Sequence, residues 1–331
     1  MLYEFKDLID VKSFPSKLSD LCWHINGFVE GDGSFPVVLS PVQDKMFGWL
    51  IQPRFEIELR DNQDSLTTLK IIQRAIGFRS TIAYLDASVK LNVTNRRVLL
   101  EKVIPFFDRY RPVLKKSEFD LFKEVTTSLD AKKHLEKSGF QEMVTKIFAL
   151  PFNTEQRRKW KFNDILPGIT SPQKGTRPEL VFPEGPALRH YIAGFIDAEG
   201  AFGYAVNLRS RSITPYAAIT HSEEAVLRKA QQIIRSGSIR KGQLEMYGIE
   251  NMTKKLIPFL EKHPLITKRT TYGKFKTILG LLAQGEHKKR FDEIVKMVRS
   301  VNDRGILRDH TLGAHPAMES EDMAQHQEDV A

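Results

Sequence analysis

The amino-acid sequence predicts an α+β fold made of two fused copies of one αββαββα unit. The first observation behind this is an internal repeat. Residues 24–35, HINGFVEGDGSF, return within residues 190–202 as HYIAGFIDAEGAF, in register without a gap once Gly27 is set against Gly194. The second is that the likeness continues downstream. IPFFDRYRPVLKK at 104–116 returns as IPFLEKHPLITKR at 257–269, and Phe122-Lys123 answers Phe275-Lys276. Phe140-Gln-Glu-Met-Val answers Phe291-Asp-Glu-Ile-Val. The offset falls from 167 to about 152 along the unit, so the second copy has shorter loops. A period this long is that of a duplicated domain rather than a solenoid. The third observation is the change of apolar periodicity inside each copy, from helical to alternating and back.

Each unit opens with a helix, at 19–31 and 186–198, with Ser19 or Asp20 as the expected N-cap of the first. Strands follow at 35–40 and 49–59, where Phe55, Ile57 and Leu59 alternate with Arg54, Glu56 and Glu58. Their counterparts are 202–208 and 216–221. An amphipathic helix comes next, at 65–76 and 223–234, closed by Gly77 and Gly237. Two more strands, 80–84 with 89–93 and 238–240 with 244–247, lead into the closing helices. The expected domains are therefore 1–149 and 187–308. The connector 150–186 contains six prolines and a basic run at Arg157, Arg158, Lys159 and Lys161. That run is either a solvated linker or a phosphate contact. Residues 309–331 are acidic and expected to be disordered.

Composition narrows the function. The chain has 331 residues, 41% of them hydrophobic and 27% charged, as in a globular protein. No stretch approaches the ~20 uninterrupted apolar residues of a membrane helix. Residues 1–19 resemble neither a secretory signal nor a transit peptide, so secretion is not expected. The single Cys22 excludes an intramolecular disulfide, and the histidines form no HExxH pair. Neither GxxxxGK[ST] nor GxGxxG occurs, which argues against nucleotide-driven chemistry. The net charge of +9 points to a polyanionic partner. The excess is larger away from the C-terminus, where Glu319, Glu321, Asp322, Glu328 and Asp329 have no Lys or Arg beside them.

The repeated run carries the chemistry. Gly27 and Gly31, like Gly194 and Ala198, are four apart, so each pair lies on one helix face without side-chain bulk. Two such helices can pack backbone to backbone. Each then ends on a carboxylate, Asp32 or Glu199, where the helix dipole disfavours negative charge. Recurrence of this unfavourable placement points to a required function. Side by side, the helix ends would gather two carboxylates and backbone carbonyls, hard oxygen ligands suited to Mg²⁺ or Ca²⁺.

Both runs resemble the LAGLIDADG motif, and the repeat, spacing and element order over roughly residues 19–300 resemble the single-chain, two-motif branch of that homing endonuclease family. The resemblance implies a pseudo-twofold fold with the motif helices at the interface and two curved antiparallel sheets in the DNA major groove. It implies a monomer that hydrolyses both strands of a long pseudo-palindromic site, leaving short 3′ overhangs. Mg²⁺ is the expected cofactor, with Mn²⁺ as a substitute and Ca²⁺ supporting binding without cleavage. Asp32 and Glu199 are the implied catalytic and metal-binding acids, with the carbonyls of Gly31 and Ala198 beside them. Glu30 and Asp197 are implied to be structural. The family's basic residue maps to Lys115 or Lys116 in the first copy and to Lys268 or Arg269 in the second. The family's water-orienting polar residue maps to His221 and to Leu59. Leu59 cannot hydrogen-bond through its side chain, so either Glu58 or Arg60 substitutes or the strands are cut at unequal rates.

DNA-reading positions are expected on the strands and turns. In the first copy they are Ser34, Pro36, Val38, Ser40, Gln43, Arg54, Glu56 and Glu58. In the second they are Tyr204, Val206, Leu208, Arg209, Arg211 and Ser212. Arg to guanine and Gln to adenine are the plausible direct contacts. Family members of organelle, intron-encoded origin suggest the same setting. Two other readings use the same fold: an intron RNA maturase, or a nucleic-acid binder that does not cut. The intact acids favour cleavage, because RNA splicing assistance has no chemical need for them.

Overall fold

A computed structural model describes residue 15, residues 17–151 and residues 159–301. The expected disordered tail, residues 1–14 and 16, Arg157 and Arg158 lie outside the described residues. The first unit runs α1 (Leu18–Asp32), β1 (Gly33–Ser34), β2 (Val37–Pro41), β3 (Trp49–Pro53), β4 (Phe55–Arg60), α2 (Gln63–Ile76), β5 (Ile82–Tyr84) and β6 (Ser88–Val93). Its closing helices are α3 (Arg96–Val98), α4 (Ile104–Arg109), α5 (Lys116–Asp130) and α6 (Lys137–Phe148). After the short α7 (Phe162–Ile165), the second unit runs α8 (Gly185–Glu199), β7 (Gly200–Asn207), β8 (Ser212–Thr220), α9 (Glu224–Ile234), β9 (Ser238–Arg240) and β10 (Gln243–Tyr247). It closes with α10 (Ile249–Asn251), α11 (Ile257–Lys262), α12 (Arg269–Ala283) and α13 (Phe291–Arg299).

Each unit holds one antiparallel four-stranded sheet, ordered β1-β4-β6-β5 and β7-β8-β10-β9. The second unit's first hairpin is continuous, Gly200 to Asn207 pairing with Ser212 to Ile219. In the first unit the corresponding hairpin breaks, and β2 and β3 form a sheet of their own. Pro36 and Pro53 flank the break; neither can donate to a ladder, and Arg54 N–H bonds the Pro36 carbonyl across it at 2.9 Å. The single strand expected over 49–59 is therefore two, β3 and β4. In each unit the helix entering Pro105 or Pro258 is π-helical over Leu99–Val103 or Met252–Leu256. A wider turn accommodates a residue that lacks the amide N–H and crowds the preceding turn.

Two helix ends differ from expectation. Lys17, not Ser19 or Asp20, occupies the N-cap of α1, and its side chain makes no cap. Helix α9 ends on Arg235 in the left-handed conformation, two residues before Gly237. Helix α2 ends on left-handed Gly77, as expected.

Each unit has its own core of sheet and helix side chains, but the cores exchange one residue across the interface. Val113 of the first unit is buried in the second unit's core, and Ile266 of the second is buried in the first's. A satellite core of α5, α6 and α7 side chains, Phe162 and Ile165 among them, ties the expected connector to the first unit.

Candidate active site at the pseudo-twofold interface

Helices α1 and α8 cross with their backbones in contact. A Cβ on Gly27 would overlap the carbonyl oxygen of Tyr191, and one on Gly194 that of His24. A Cβ on Gly31 would lie 2.5 Å from that of Ala198 and 3.1 Å from a carboxylate oxygen of Glu199. Asp32 and Glu199 are thereby brought to one edge of the interface. Burial raises the pKa of both carboxyls; Asp32 adds repulsion at Glu199, while Lys268 and Lys115 oppose the rise.

Neither motif helix carries a basic residue in its last turn. The compensating cations come from elsewhere. The Lys115 ammonium donates to the carbonyls of Val29 (3.1 Å), Gly31 (3.0 Å) and Gly33. The Lys268 ammonium donates to the carbonyls of Asp197 (2.6 Å) and Ala198. A cation at the C-terminal end of a helix offsets the dipole that the terminal carboxylate aggravates.

Glu30 and Asp197 hold these lysines in place. Glu30 accepts the backbone N–H groups of Val113, Leu114 (3.0 Å) and Lys115 (2.9 Å). Asp197 accepts those of Ile266 (2.8 Å), Thr267 (2.9 Å) and Lys268 (2.9 Å). The equivalence of the two sets pairs Lys115 with Lys268 and settles the one-residue ambiguity of the repeat. Each buried acid is also braced from the other unit, Glu30 by the Tyr191 hydroxyl at 3.3 Å and Asp197 by the His24 imidazole at 3.1 Å. His24 and Tyr191 occupy matching motif positions, a signal present in the repeat itself.

The remaining basic candidates stand apart from the helix ends. Lys116 and Arg269 begin α5 and α12. The Arg269 guanidinium is turned to Asp64 of the first unit at 3.0 Å. Asp64 also accepts the Thr270 N–H at 2.8 Å, and Thr68 bonds Thr267 at 2.9 Å. This lock fastens the Lys268 loop to α2, and no local sequence pattern signals it. Leu59 points into the first unit's core. His221 lies against Phe195, and its Nδ1 accepts the Glu223 N–H at 3.0 Å. Burial lowers the His221 pKa, so the ring favours its neutral form.

On the first unit's sheet, Arg54, Glu56 and Glu58 face away from the core. Lys90 joins them, its ammonium 3.5 Å from Glu56 and 3.4 Å from Glu58. Ser34, Pro36, Val38 and Ser40 line an open groove of about 660 Å³ that also takes in Lys115 and Lys159. Gln43 lies exposed in the β2–β3 turn.

The second unit corrects the expected face. Tyr204 and Val206 are buried in the core, and the Tyr204 hydroxyl donates to the Phe275 carbonyl. Side chains alternate along a strand, so the opposite row is Ala201, Gly203, Ala205 and Asn207, of which Ala201 is exposed and Gly203 and Ala205 are buried. The error was one of parity, since Phe202, Tyr204 and Val206 form one apolar row. Leu208, Arg209 and Arg211 sit at the exposed hairpin tip, Arg211 over the Phe291 ring and 3.3 Å from Asp292. Ser212 is exposed at the start of β8.

As for a metal, the donors that meet are two carboxylates and helix-end carbonyls. Among the described residues no three His, Cys, Asp or Glu side chains gather into a metal-binding group. The set fits a hard cation that keeps water and phosphate oxygens in its shell, as Mg²⁺ does.

Comparison with known proteins gives one family. The profile described as "LAGLIDADG endonuclease" matches residues 25–126 and 192–279. Probable intron-encoded endonuclease 3 of Neurospora crassa is 24% identical over 80% of this chain, and the match spans 50% of that relative. Probable intron-encoded DNA endonuclease 1 of Mycosarcoma maydis is 23% identical over 76% of this chain and 96% of its own length. The I-LtrWI LAGLIDADG homing endonuclease bound to target DNA superposes with a TM-score of 0.75 at 22% identity, covering 88% of this chain and 100% of its own. I-SmaMI bound to uncleaved DNA in the presence of calcium ions gives 0.72 at 20% identity, over 85% and 97%.

Proposed function

Because this chain belongs to the LAGLIDADG endonuclease family, we propose that it is a site-specific, divalent-metal-dependent DNA endonuclease. It hydrolyses one phosphodiester in each strand of a long, loosely palindromic site and leaves short 3′ overhangs. The observation that carries this reading is the meeting of Asp32 and Glu199 at the ends of two helices in backbone contact, each end topped by a lysine ammonium. With both motifs in one chain, the monomer is the working unit. By the same membership we read the gene as intron-encoded and the setting as an organelle.

Asp32 and Glu199, with the carbonyl oxygens of Gly31 and Ala198, would hold Mg²⁺; Mn²⁺ would substitute, and Ca²⁺ would support binding alone. When bound, the cation activates water and offsets charge on the phosphate. The chain's own groups do the rest. Lys115 and Lys268 place a positive charge at each helix end, where phosphoryl oxygens gain negative charge in the transition state. Neutral His221 orients water near the Lys115 end. Leu59 does no such work at the other end, so the two strands are cut at unequal rates. Sequence is read by Arg54, Glu56, Glu58, Lys90 and Gln43 in one half-site. Asn207, Arg209, Arg211 and Ser212 read the other.

A cleavage selection tests the reading. The protein is incubated with a long randomised duplex library in Mg²⁺, Ca²⁺ or EDTA, beside Asp32→Asn. Enrichment of one long site, cut only by the intact protein with Mg²⁺, is expected. Binding without cutting in every condition would overturn the endonuclease reading, and structured intron RNA would be the next ligand.

A further inference from the structure

The two helix ends are alike in their acids and lysines but not in what surrounds the lysines. At the Lys268 end the space beside the loop is filled by the Asp64–Arg269–Thr270 lock. At the Lys115 end the corresponding space is a cavity of about 170 Å³ lined by Lys115, Glu118, Arg177, His221 and Glu223, among others. Glu118 also lines the groove beside β2, so it stands where the cavity and the groove meet. Its Oε2 is buried and, among the described residues, has no hydrogen-bond partner. An unpartnered buried carboxylate oxygen is costly, and such atoms call for an explanation. The position matching Glu118 in the second unit is Thr271, which is exposed. The carboxylate therefore belongs to one centre only.

We propose that Glu118 is the proton acceptor of the Lys115 centre, linked to the attacking water through solvent in the cavity it shares with His221. This rests on the endonuclease reading above. In the step, the attacking water forms the new P–O bond and its proton passes along the cavity to the Glu118 carboxylate. The bond from phosphorus to the 3′ oxygen breaks, and that oxygen takes a proton from solvent. Glu118 then returns its proton to solvent. The cavity is large enough and polar enough to hold the connecting water. Burial pushes the Glu118 carboxyl up to about 7, opposed by Lys115 and Arg177 and reinforced by Glu30, so it exchanges protons near neutrality. The other charged or titratable groups facing it are His221, Glu223 and Lys159. The Lys268 centre has no such carboxylate and passes its proton directly to solvent.

The test is strand-specific nicking under single-turnover conditions, on the duplex recovered by the cleavage selection, labelled on one strand at a time. Lys115→Ala first identifies the strand served by that centre. Glu118→Gln should slow the same strand by about tenfold to a hundredfold, the usual size of a general-base contribution. It should leave the other strand and the affinity in Ca²⁺ within about twofold. The rate profile of that strand should lose its inflection near pH 7, and Glu118→Asp should restore part of it. Equal slowing of both strands, no slowing, or an unchanged pH profile would overturn the proposal, and loss of affinity or folding in Glu118→Gln with full activity in Glu118→Asp would make the residue structural. Wild-type protein that binds the duplex and nicks neither strand would instead overturn the endonuclease reading beneath it.

Discussion

Among single residues, the four acids of the two motifs divide into two kinds by their partners. Glu30 and Asp197 are each satisfied by three backbone N–H groups and one side chain from the other unit. Asp32 and Glu199, two residues further on, stand at the interface edge with ammonium groups nearby. Asp32→Asn or Glu199→Gln should therefore abolish cleavage while DNA affinity, measured in Ca²⁺, stays within about tenfold, because only the metal chemistry is lost. Wild-type cutting by either variant would remove the acids from the mechanism. Asp197→Asn should act differently. Removing charge from a buried, fully bonded carboxylate should lower thermal stability by about 2–4 kcal/mol before it alters any chemical step. A melting temperature equal to wild type would contradict that division of roles.

The elements that matter most are α1 and α8. Their contact leaves no room for a side chain at Gly27 or Gly194. Gly27→Ala should cost about 3 kcal/mol, because the new methyl meets backbone rather than a movable side chain. Denaturant titration checks this, and an unchanged midpoint would mean the helices separate freely. The N-terminal ends of the same helices carry a second dependence. The His190 imidazole is held down to about 4 by burial, with Asp20 opposing and His263 and His24 adding to the shift. The unfolded chain, with histidine near 6.5, takes up the proton first as pH falls. Stability is thus complete above about pH 6.5 and is lost as pH falls towards 4, by roughly 2 kcal/mol at pH 5. His190→Gln should flatten that part of the pH–stability curve; an equally steep curve would assign the effect to other groups.

Across the whole molecule, the duplication repeats the order of elements but not the chemistry. The first unit offers Arg54, Glu56, Glu58 and Lys90 on its open face, a charged and mutually paired set. On the matching row of the second, Ala201 is exposed and Asn207 half-buried while Gly203 and Ala205 are buried, with Tyr216 tilted against Tyr247 at 6.2 Å. Net charge of +9 predicts that DNA affinity falls steeply with salt as Lys and Arg release counterions. A flat response between 50 and 200 mM salt would argue that phosphate contacts contribute little.

The α+β class, the duplication, the element order and the motif residues were all legible in the amino-acid sequence. Each of these is written in local periodicity or in direct repetition, Gly27 against Gly194 being the plainest case. The parity of β7 was also legible, since Phe202, Tyr204 and Val206 form one apolar row that belongs to the core. Other features depended on the tertiary structure because they involve residues far apart in the chain. The register that pairs Lys115 with Lys268 emerged only from the N–H groups gathered by Glu30 and Asp197. The capture of Arg269 by Asp64 joins residues 205 positions apart. The exchange of Val113 and Ile266 between cores, and the cavity that isolates Glu118, arise where two units meet. One chain's local pattern cannot encode which side chain of the other unit fills a gap, because that is decided by packing across the interface.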